Sequence, residues 1–562
     1  MNSSSNYKWV ALANTTAAVF MSQLDGSIVL IALPAIFTGI KLDPLSPANI
    51  GFLLWMLMGY RLVQAVLVVT VGRLGDMFGR VRIYNAGFLV FTLASVALSF
   101  DPWHGGTGAL WLILWRFPQA FGGSMLQANS AAILTDAFPS NQRGFALGSN
   151  QVAGLAGMFI GLVAGGLLSA LDWRAVFWVN VPVGIYGTLW AFWKLREPAR
   201  ARTVNPKIDW WGNISFAFGL SAILVASTYG IQPYGSSSMG WTNPWVLAGL
   251  IGGALALVAF LIIESRIKEP MVNLSLFRIR AFSAGNLAGF TVSLARGGLQ
   301  FMIVIWLQGI WLPLHGYSFT DTPLWAGIYM LPLTVGFLIA GPISGWLSDR
   351  IGSRGLATGG AVITGLCFIG LMLLPVNFPY WMFGLLLAIL GAATGMFASP
   401  NSSSIMGSVP ASDRGVASGM RSTFQNSGTA LSISVFFTLV IAGLTAHLPS
   451  TLYNGLRGAG ASASVAHHLA SLPPVSSMFG ALLGVNPIGH LLSQYHATGL
   501  LTASGRAALT GRAFFPHLIS GPFHDGLVVV FITAAGLSAI AALASLMRGT
   551  PSPRTTPEGA PA

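Results

Sequence analysis

Charge is what this chain has least of. Of its 562 residues only 8% are charged, while 54% are hydrophobic and the mean hydropathy is +0.70. A water-soluble domain carries about 25% charged residues, so a third of that leaves a chain this long unable to clothe its surface in water. Acidic residues are the scarcer sign, 15 against 28 basic. A surplus of 13 positive charges fits nucleic acid only where basic residues cluster. Here they fall in short runs between apolar segments, so nucleic-acid binding is set aside. Cysteine is nearly absent. Cys367 alone excludes a disulfide framework and a Cys-rich zinc site. None of the five lysines (Lys8, Lys41, Lys194, Lys207, Lys268) stands in a G-x4-G-K-[ST] loop, so the chain has no such phosphate-cradling loop for ATP. No Ser/His/Asp cluster or carboxylate pair is embedded in an apolar run. His467 and His468 lack acidic or Cys neighbours at ligand spacing and read as solvated loop. Enzyme chemistry, a cofactor and a metal are therefore not expected.

What is abundant is long apolar runs. A helix needs about 20 apolar residues to cross the hydrocarbon core, and its backbone must be satisfied internally. Fourteen runs qualify: Trp9 to Phe37, then 50 to 71, 83 to 100, 109 to 133, 145 to 170, 175 to 193, 210 to 229, 244 to 263, 282 to 312, 324 to 347, 355 to 375, 379 to 398, 416 to 446 and 525 to 547. The first is too long for a signal peptide's apolar region and lacks a cleavage pattern. An even count puts both termini on one side. Sorting the Lys and Arg puts 20 on that side, five on the other and three inside spans (Arg61, Arg116, Arg296), which accounts for all 28. The bias predicts cytoplasmic termini. The stretch from His447 to His524 is external, rich in His, Gly, Ser and Pro, with Val475 to Leu492 read as interfacial; the Pro-rich tail from Gly549 reads as disordered.

The chain also repeats itself. Gly72-Arg73-Leu74-Gly75-Asp76-Met77-Phe78-Gly79-Arg80 is answered by Gly345-Trp346-Leu347-Ser348-Asp349-Arg350-Ile351-Gly352, both G-x3-D-x2-G. Pro139 to Gly144, with Arg143, is answered by Pro410 to Gly415, with Arg414, both P-x3-R-G. The displacements are 273 and 271 positions. Two motifs so nearly equally displaced, each after an equivalent span, argue for two homologous six-helix halves with an extra pair between them. Parallel halves are a transporter signature. The chain resembles the major facilitator superfamily, and its extra pair near 210 to 263 resembles the fourteen-helix drug:proton antiporters. Leu24-Asp25-Gly26 through Pro34 resembles that family's first-helix motif, Arg116-Phe117-Pro118-Gln119 its fourth-helix motif, and Gly72 to Arg80 its signature loop. In helix 5, Gly161-Leu162-Val163-Ala164-Gly165-Gly166 lacks the proline of the family's antiporter motif.

The expected fold is an all-α polytopic membrane protein with two six-helix bundles plus two inserted helices. Residues 1–200 form the first bundle, 201–281 the inserted pair and a basic linker, and 282–447 the first five helices of the second bundle. Residues 448–523 are an external loop, 524–548 the last helix and 549–562 a tail. Asp25 is the one acidic residue well inside a span. Such a residue costs about 2.5–3.5 kcal/mol on insertion scales and faces wet cavities. Burial and a neighbouring cation pull a carboxyl's proton affinity in opposite directions, so Asp25 beside Arg116 is placed to exchange protons. Arg116 keeps its own proton and sets the acid's affinity or touches substrate; the alternatives are a structural pair and an outward-snorkelling arginine.

Arg61 and Arg296 near mid-span, with Gln119, Gln127, Asn129 and Gln300, are cavity candidates, as are Gln23 and Gln308; each amide is equally an interhelical bond. Three arginines against one aspartate predict a positively biased cavity for neutral, amphipathic or anionic compounds. Gly72, Asp76, Gly79, Arg80, Arg143, Asp349, Arg350, Arg354 and Arg414 read as a gate of tight turns and ion pairs, and the resemblance implies that this loop steadies the outward-open state. Gly157, Gly161, Gly165 and Gly166 serve close packing or a hinge. The expected function is proton-coupled efflux by alternating access, with small molecules, protons and lipids as partners and a monomer in the cell membrane. Uptake or uniport is one alternative. A lipid-handling or envelope protein working through the external loop is another.

Overall fold

A computed structural model describes residues 3–43, 49–139, 142–197, 209–235, 237–267, 272–410, 414–458, 461–470, isolated positions between 474 and 511, and 513–548. Among the described residues every long element is a helix. The first six are α1 (Ser3–Gly39), α2 (Ile50–Phe78), α3 (Arg80–Ser99), α4 (Gly105–Ala137), α5 (Arg143–Leu171) and α6 (Asn180–Lys194). The inserted pair is α7 (Trp210–Gly230) and α8 (Pro244–Arg266). Then come α9 (Arg280–Ile305, carried by a π-helical stretch, Trp306–Trp311, to Leu314) and α10, in two pieces (Thr322–Tyr329 and Leu331–Ile351). The rest are α11 (Ser353–Met372), α12 (Tyr380–Ser408), α13 (Arg414–Gly458) and α14 (Phe514–Leu546).

Thirteen of these are long and apolar enough to cross a membrane. The remaining one, α4, has the length at 33 residues. Arg116, Gln119 and its glycines lower its hydropathy, and it packs inside the bundle against α1, α2 and α3, where polar side chains escape lipid.

The two halves pack alike. In the first, α1 lies on α5, α2 and α3 on α4, and α3 on α6; in the second, α9 lies on α13, α10 and α11 on α12, and α11 on α14. Between halves the same rule holds, with α2 against α13 and α5 against α10. The inserted pair docks through α7 onto α2 and α13, tied by Thr70 Oγ1 donating to Asn213 at 2.8 Å and Trp55 Nε1 to the Tyr229 hydroxyl at 3.3 Å. α8 leaves Trp245, Ile251, Leu255 and Val258 exposed, the side chains a lipid-facing helix needs.

Helix ends differ from the sequence expectation on the side away from the termini. α13 continues past residue 446 to Gly458, 45 residues in all, about 67 Å at 1.5 Å per residue. α14 starts at Phe514, not near 525. The cause is apolar: Leu448, Leu452 and Leu456, one turn apart, are buried in the same cluster as Phe515, Ile519 and Phe523, and Gly455 lets Leu518 close in. Val475, Met478 and Ile488 join this cluster. Apart from Gly480, the rest of the Val475 to Leu492 segment and the tail from Gly549 lie outside the described residues.

Candidate functional site

The first half keeps its polar residues on the faces of α1, α2, α4 and α6 that meet. Asp25 is fully buried. Its Oδ2 accepts from Arg116 Nη1 at 3.2 Å, and its Oδ1 from Gln119 Nε2 at 3.0 Å and Asn180 Nδ2 at 2.6 Å. Three donors on one buried carboxylate meet the requirement that a charge out of water be both paired and hydrogen-bonded. Arg116 in turn bonds the Gln119 side-chain oxygen at 3.2 Å and stands 4.5 Å over the Tyr60 ring, a stabilising seat for a guanidinium. The Tyr60 hydroxyl donates to the Ser22 carbonyl at 2.9 Å, Gln64 to Ser22 Oγ at 3.1 Å, and Gln119 to Ser95 Oγ at 2.9 Å.

Arg61 is buried one helix away. Its Nη1 donates to Gln23 Oε1 at 2.8 Å, and its guanidinium lies on Gly26, where a Cβ would stand 2.8 Å from Cζ. The glycine after Asp25 is therefore what lets this cation lie against α1. Arg296 faces it from the second half, 5.7 Å over the Phe159 ring, close enough for the two arginines to repel each other. Arg296 Nη1 and Gln300 Nε2, one turn apart on α9, are buried donors without acceptors. The structure thus brings Asp25, Arg116 and Gln119 together and sets Arg61, Arg296 and Gln300 around the same centre.

The other amides divide. Gln127 accepts from Asn426 Nδ2 at 3.4 Å across the halves, and Gln308 Nε2 donates to the Ile31 carbonyl at 3.3 Å, also across the halves. Asn129 bonds the Met125 carbonyl at 2.9 Å, and a Cβ on Gly75 would meet its Oδ1, so Asn129 serves the α2–α4 contact.

At the loop between α2 and α3, Gly79 has φ +108° and leaves room for Glu197, whose carboxylate accepts from the amides of Arg80, Val81 and Arg82 at 2.9, 3.0 and 3.3 Å. An acid at a helix N-terminus satisfies orphan donors and complements the dipole. Arg80 pairs with Asp136 at 2.8 Å. Gly72 has only Ala128 near. Arg350 lies 3.9 Å over the Trp346 ring, and Arg354 is half-buried at the start of α11. The side chains of Asp76, Arg143, Asp349 and Arg414 lie outside the described residues. The helix-5 glycines split as well. A Cβ on Gly157, Gly161 or Gly165 would strike the α1 backbone at Phe20, Leu24 or Ile28, whereas one on Gly166 would stand 2.4 Å from the Pro323 carbonyl of α10, in the other half.

Sequence reasoning missed Asn180, Tyr60, Ser22, Gln64 and Glu197. Asn180 left a signal, a lone amide between Val179 and Val181 in an apolar run. It also counted Arg421 with the basic residues of the loops. The structure buries Arg421 within α13, 7% exposed, because its position two turns inside the helix turns it between the halves.

The comparisons agree with this architecture. The family model described as Major Facilitator Superfamily matches residues 15–433. Riboflavin transporter RibZ of Clostridioides difficile is 29% identical, covering 78% of this chain and 89% of that protein. The tetracenomycin C resistance and export protein of Streptomyces glaucescens is 27% identical, over 90% of each. The methyl viologen resistance protein SmvA of Salmonella typhimurium is 30% identical, over 83% and 90%. Among solved structures, the proton:xylose symporter XylE bound to 6-bromo-6-deoxy-D-glucose shares the fold at a TM-score of 0.55 and 14% identity, over 90% and 99%. This chain is a membrane transporter, not an enzyme, and belongs to the major facilitator superfamily.

Proposed function

We propose that this transporter exports hydrophobic or amphipathic small molecules in exchange for protons, by alternating access, with both termini in the cytoplasm. One observation carries the reading: Asp25, fully buried, holds its carboxylate against Arg116, Gln119 and Asn180, with Arg61, Arg296 and Gln300 set around the same centre. Protonation of Asp25 from outside cancels the charge that pairs with Arg116, frees a guanidinium facing the centre, and so couples proton arrival to substrate release. The Lys and Arg distribution supports the orientation. The relatives' names support organic small molecules as cargo: riboflavin, tetracenomycin C and methyl viologen.

Methyl viologen is a dication, so charge preference is the first property to test. The positive bias at Arg61 and Arg296 favours neutral, amphipathic or anionic cargo. Proteoliposomes with an imposed pH gradient are to be challenged with cationic, neutral and anionic amphiphiles. Proton flux against substrate in wild type, absent in Asp25→Asn, supports antiport; strong export of dications alone sinks the charge reading. Uptake or uniport is the second reading, favoured by Leu162 at the place of the helix-5 proline, and it predicts substrate movement without proton flux in the same assay.

A further inference from the structure

The proposed exchange uses the centre of the bundle and leaves a cavity between the halves unexplained. Nearer the end that carries the termini, a cavity of about 30 Å³ lies between the halves, bounded by α1, α4 and α5 on one side and α12 and α13 on the other. Its wall mixes apolar and neutral polar side chains, with Ser402, Ser403, Ser418, Gln127 and Gln151 among them; among the described residues Arg421 is its one cation and no acidic side chain lines it. Arg421 is 7% exposed. Its Nη1 donates to Ser402 Oγ at 2.9 Å and its Nη2 to Gln151 Oε1 at 2.7 Å, while Nε is buried with no acceptor.

Neutral oxygens satisfy hydrogen bonds but leave the charge uncompensated, and an uncompensated buried charge is costly. A guanidinium fork matches carboxylate and phosphate, two acceptor oxygens to two donors. We infer that this cavity is a loading subsite that takes the anionic head group, carboxylate or phosphate, of an amphipathic substrate on its way to Arg61 and Arg296. The inference rests on the export reading and names the chemistry of its cargo. Arg421 belongs to the second half and Gln151 to the first, so an anion that takes Nη2 from Gln151 replaces a contact between halves with a contact to cargo. Loading and loosening of that end are then one event.

The test is fluorescence titration of the purified full-length protein in nanodiscs with a dansylated undecanoic acid, its methyl ester and the corresponding alkyl phosphate. Arg421→Gln should weaken the preferred acid about tenfold, the loss expected for one charge-assisted contact, and leave the ester within about twofold. Arg421→Lys should fall between, and the acid that loses more names the head group. Equal losses for acid and ester make Arg421 a strut between halves and overturn the inference, as does a wild type that binds acid no better than ester. Melting temperature without probe, measured for both variants, identifies loss of fold; if Arg421→Gln does not fold, Arg421→Lys decides, by its acid-to-ester ratio. Proton flux is read separately. Acid binding that depends on Arg421 without proton flux sinks the export reading and keeps the site, whereas proton-coupled export with unchanged acid preference in Arg421→Gln does the reverse.

Discussion

The two halves share a packing plan and differ in charge. In the first half the buried acid, Asp25, has three donors, and its arginine, Arg116, has a carboxylate and a ring. In the second half the buried cations Arg296, Arg421 and Arg548 have no carboxylate partner among the described residues, and each, like Nε of Arg116, leaves an N–H without an acceptor. Carried along by the repeat displacement of 271 positions, Asp25 falls on Arg296, so the second half has a cation where the first has an acid. The glycines are exchanged too. Gly157, Gly161 and Gly165 of α5 press on α1 in the first half, whereas Gly297 and Gly298 of α9 press on Thr429 and Ser432 of α13 in the second. Duplicated backbone therefore preserved helix contacts, while the side chains diverged: the first half pairs a buried cation with a carboxylate, and the second holds buried cations without one among the described residues.

The sharpest way to break that division is Asp25→Asn. Proton flux in proteoliposomes should fall more than about 100-fold, and leaving Arg116 without its partner should cost about 3–5 kcal/mol of stability. Retained flux would move the coupling group to the second half and dissolve the distinction. Arg296→Gln should follow with a smaller effect, shifting the ratio of anionic to cationic probes transported by about tenfold, one charge-assisted contact, while proton flux per cargo molecule stays fixed. If instead that stoichiometry changes, Arg296 belongs to the coupling machinery.

The glycine contrast offers a third test. Gly166→Val intrudes on α10 across the halves, so it should raise the reactivity of a cysteine placed at position 324 and slow transport by disturbing the contact between halves. Gly161→Val intrudes on α1 within one half, so it should lower expression and melting temperature, with position 324 unchanged. Identical phenotypes would mean that the two glycines do not divide between closure and packing.

Much of this was legible in sequence because membrane physics is local. Span lengths, the repeat, and Asp25 with Arg116 and Gln119 follow from hydropathy and from charge where charge is expensive. What stayed hidden depends on which faces meet. Asn180 reaches Asp25 only after α6 turns back beside α1. Tyr60 seats Arg116 from a neighbouring helix. Glu197 caps α3 from the end of the first half, a partnership 117 positions apart that no window sees. Arg421 looked like a loop-flanking charge, since only two turns of helix separate it from the start of α13. The ends of α13 and α14 away from the termini were missed because their histidines, prolines and small residues mask the Leu448–Leu452–Leu456 stripe.

The smallest expected effect concerns an acid that again belongs to the first half. Asp101, in the α3–α4 connection, is 3% exposed; the repeat displacements set it against Met372 and Leu374 of the second half. Its Oδ1 accepts from the Trp103 amide at 2.9 Å, its Oδ2 is buried without a partner, and Arg174 spends Nη2 on its backbone carbonyl at 3.1 Å. Burial pushes the carboxyl above its ordinary value, against the opposing pull of Trp103, Arg174 and His104. A raised native value favours the protonated form on folding, so the contribution to stability is full below the ordinary 3.8 and is lost as pH climbs through the native value. Asp101→Asn keeps an acceptor for Trp103 and removes the charge. Its melting temperature should exceed that of wild type by about 1 °C at pH 7, and the difference should vanish as pH falls toward the ordinary carboxyl range. A variant less stable than wild type at pH 7 would show that Arg174 or His104 compensates the carboxylate in the membrane, and that the first half satisfies this acid as fully as it satisfies Asp25.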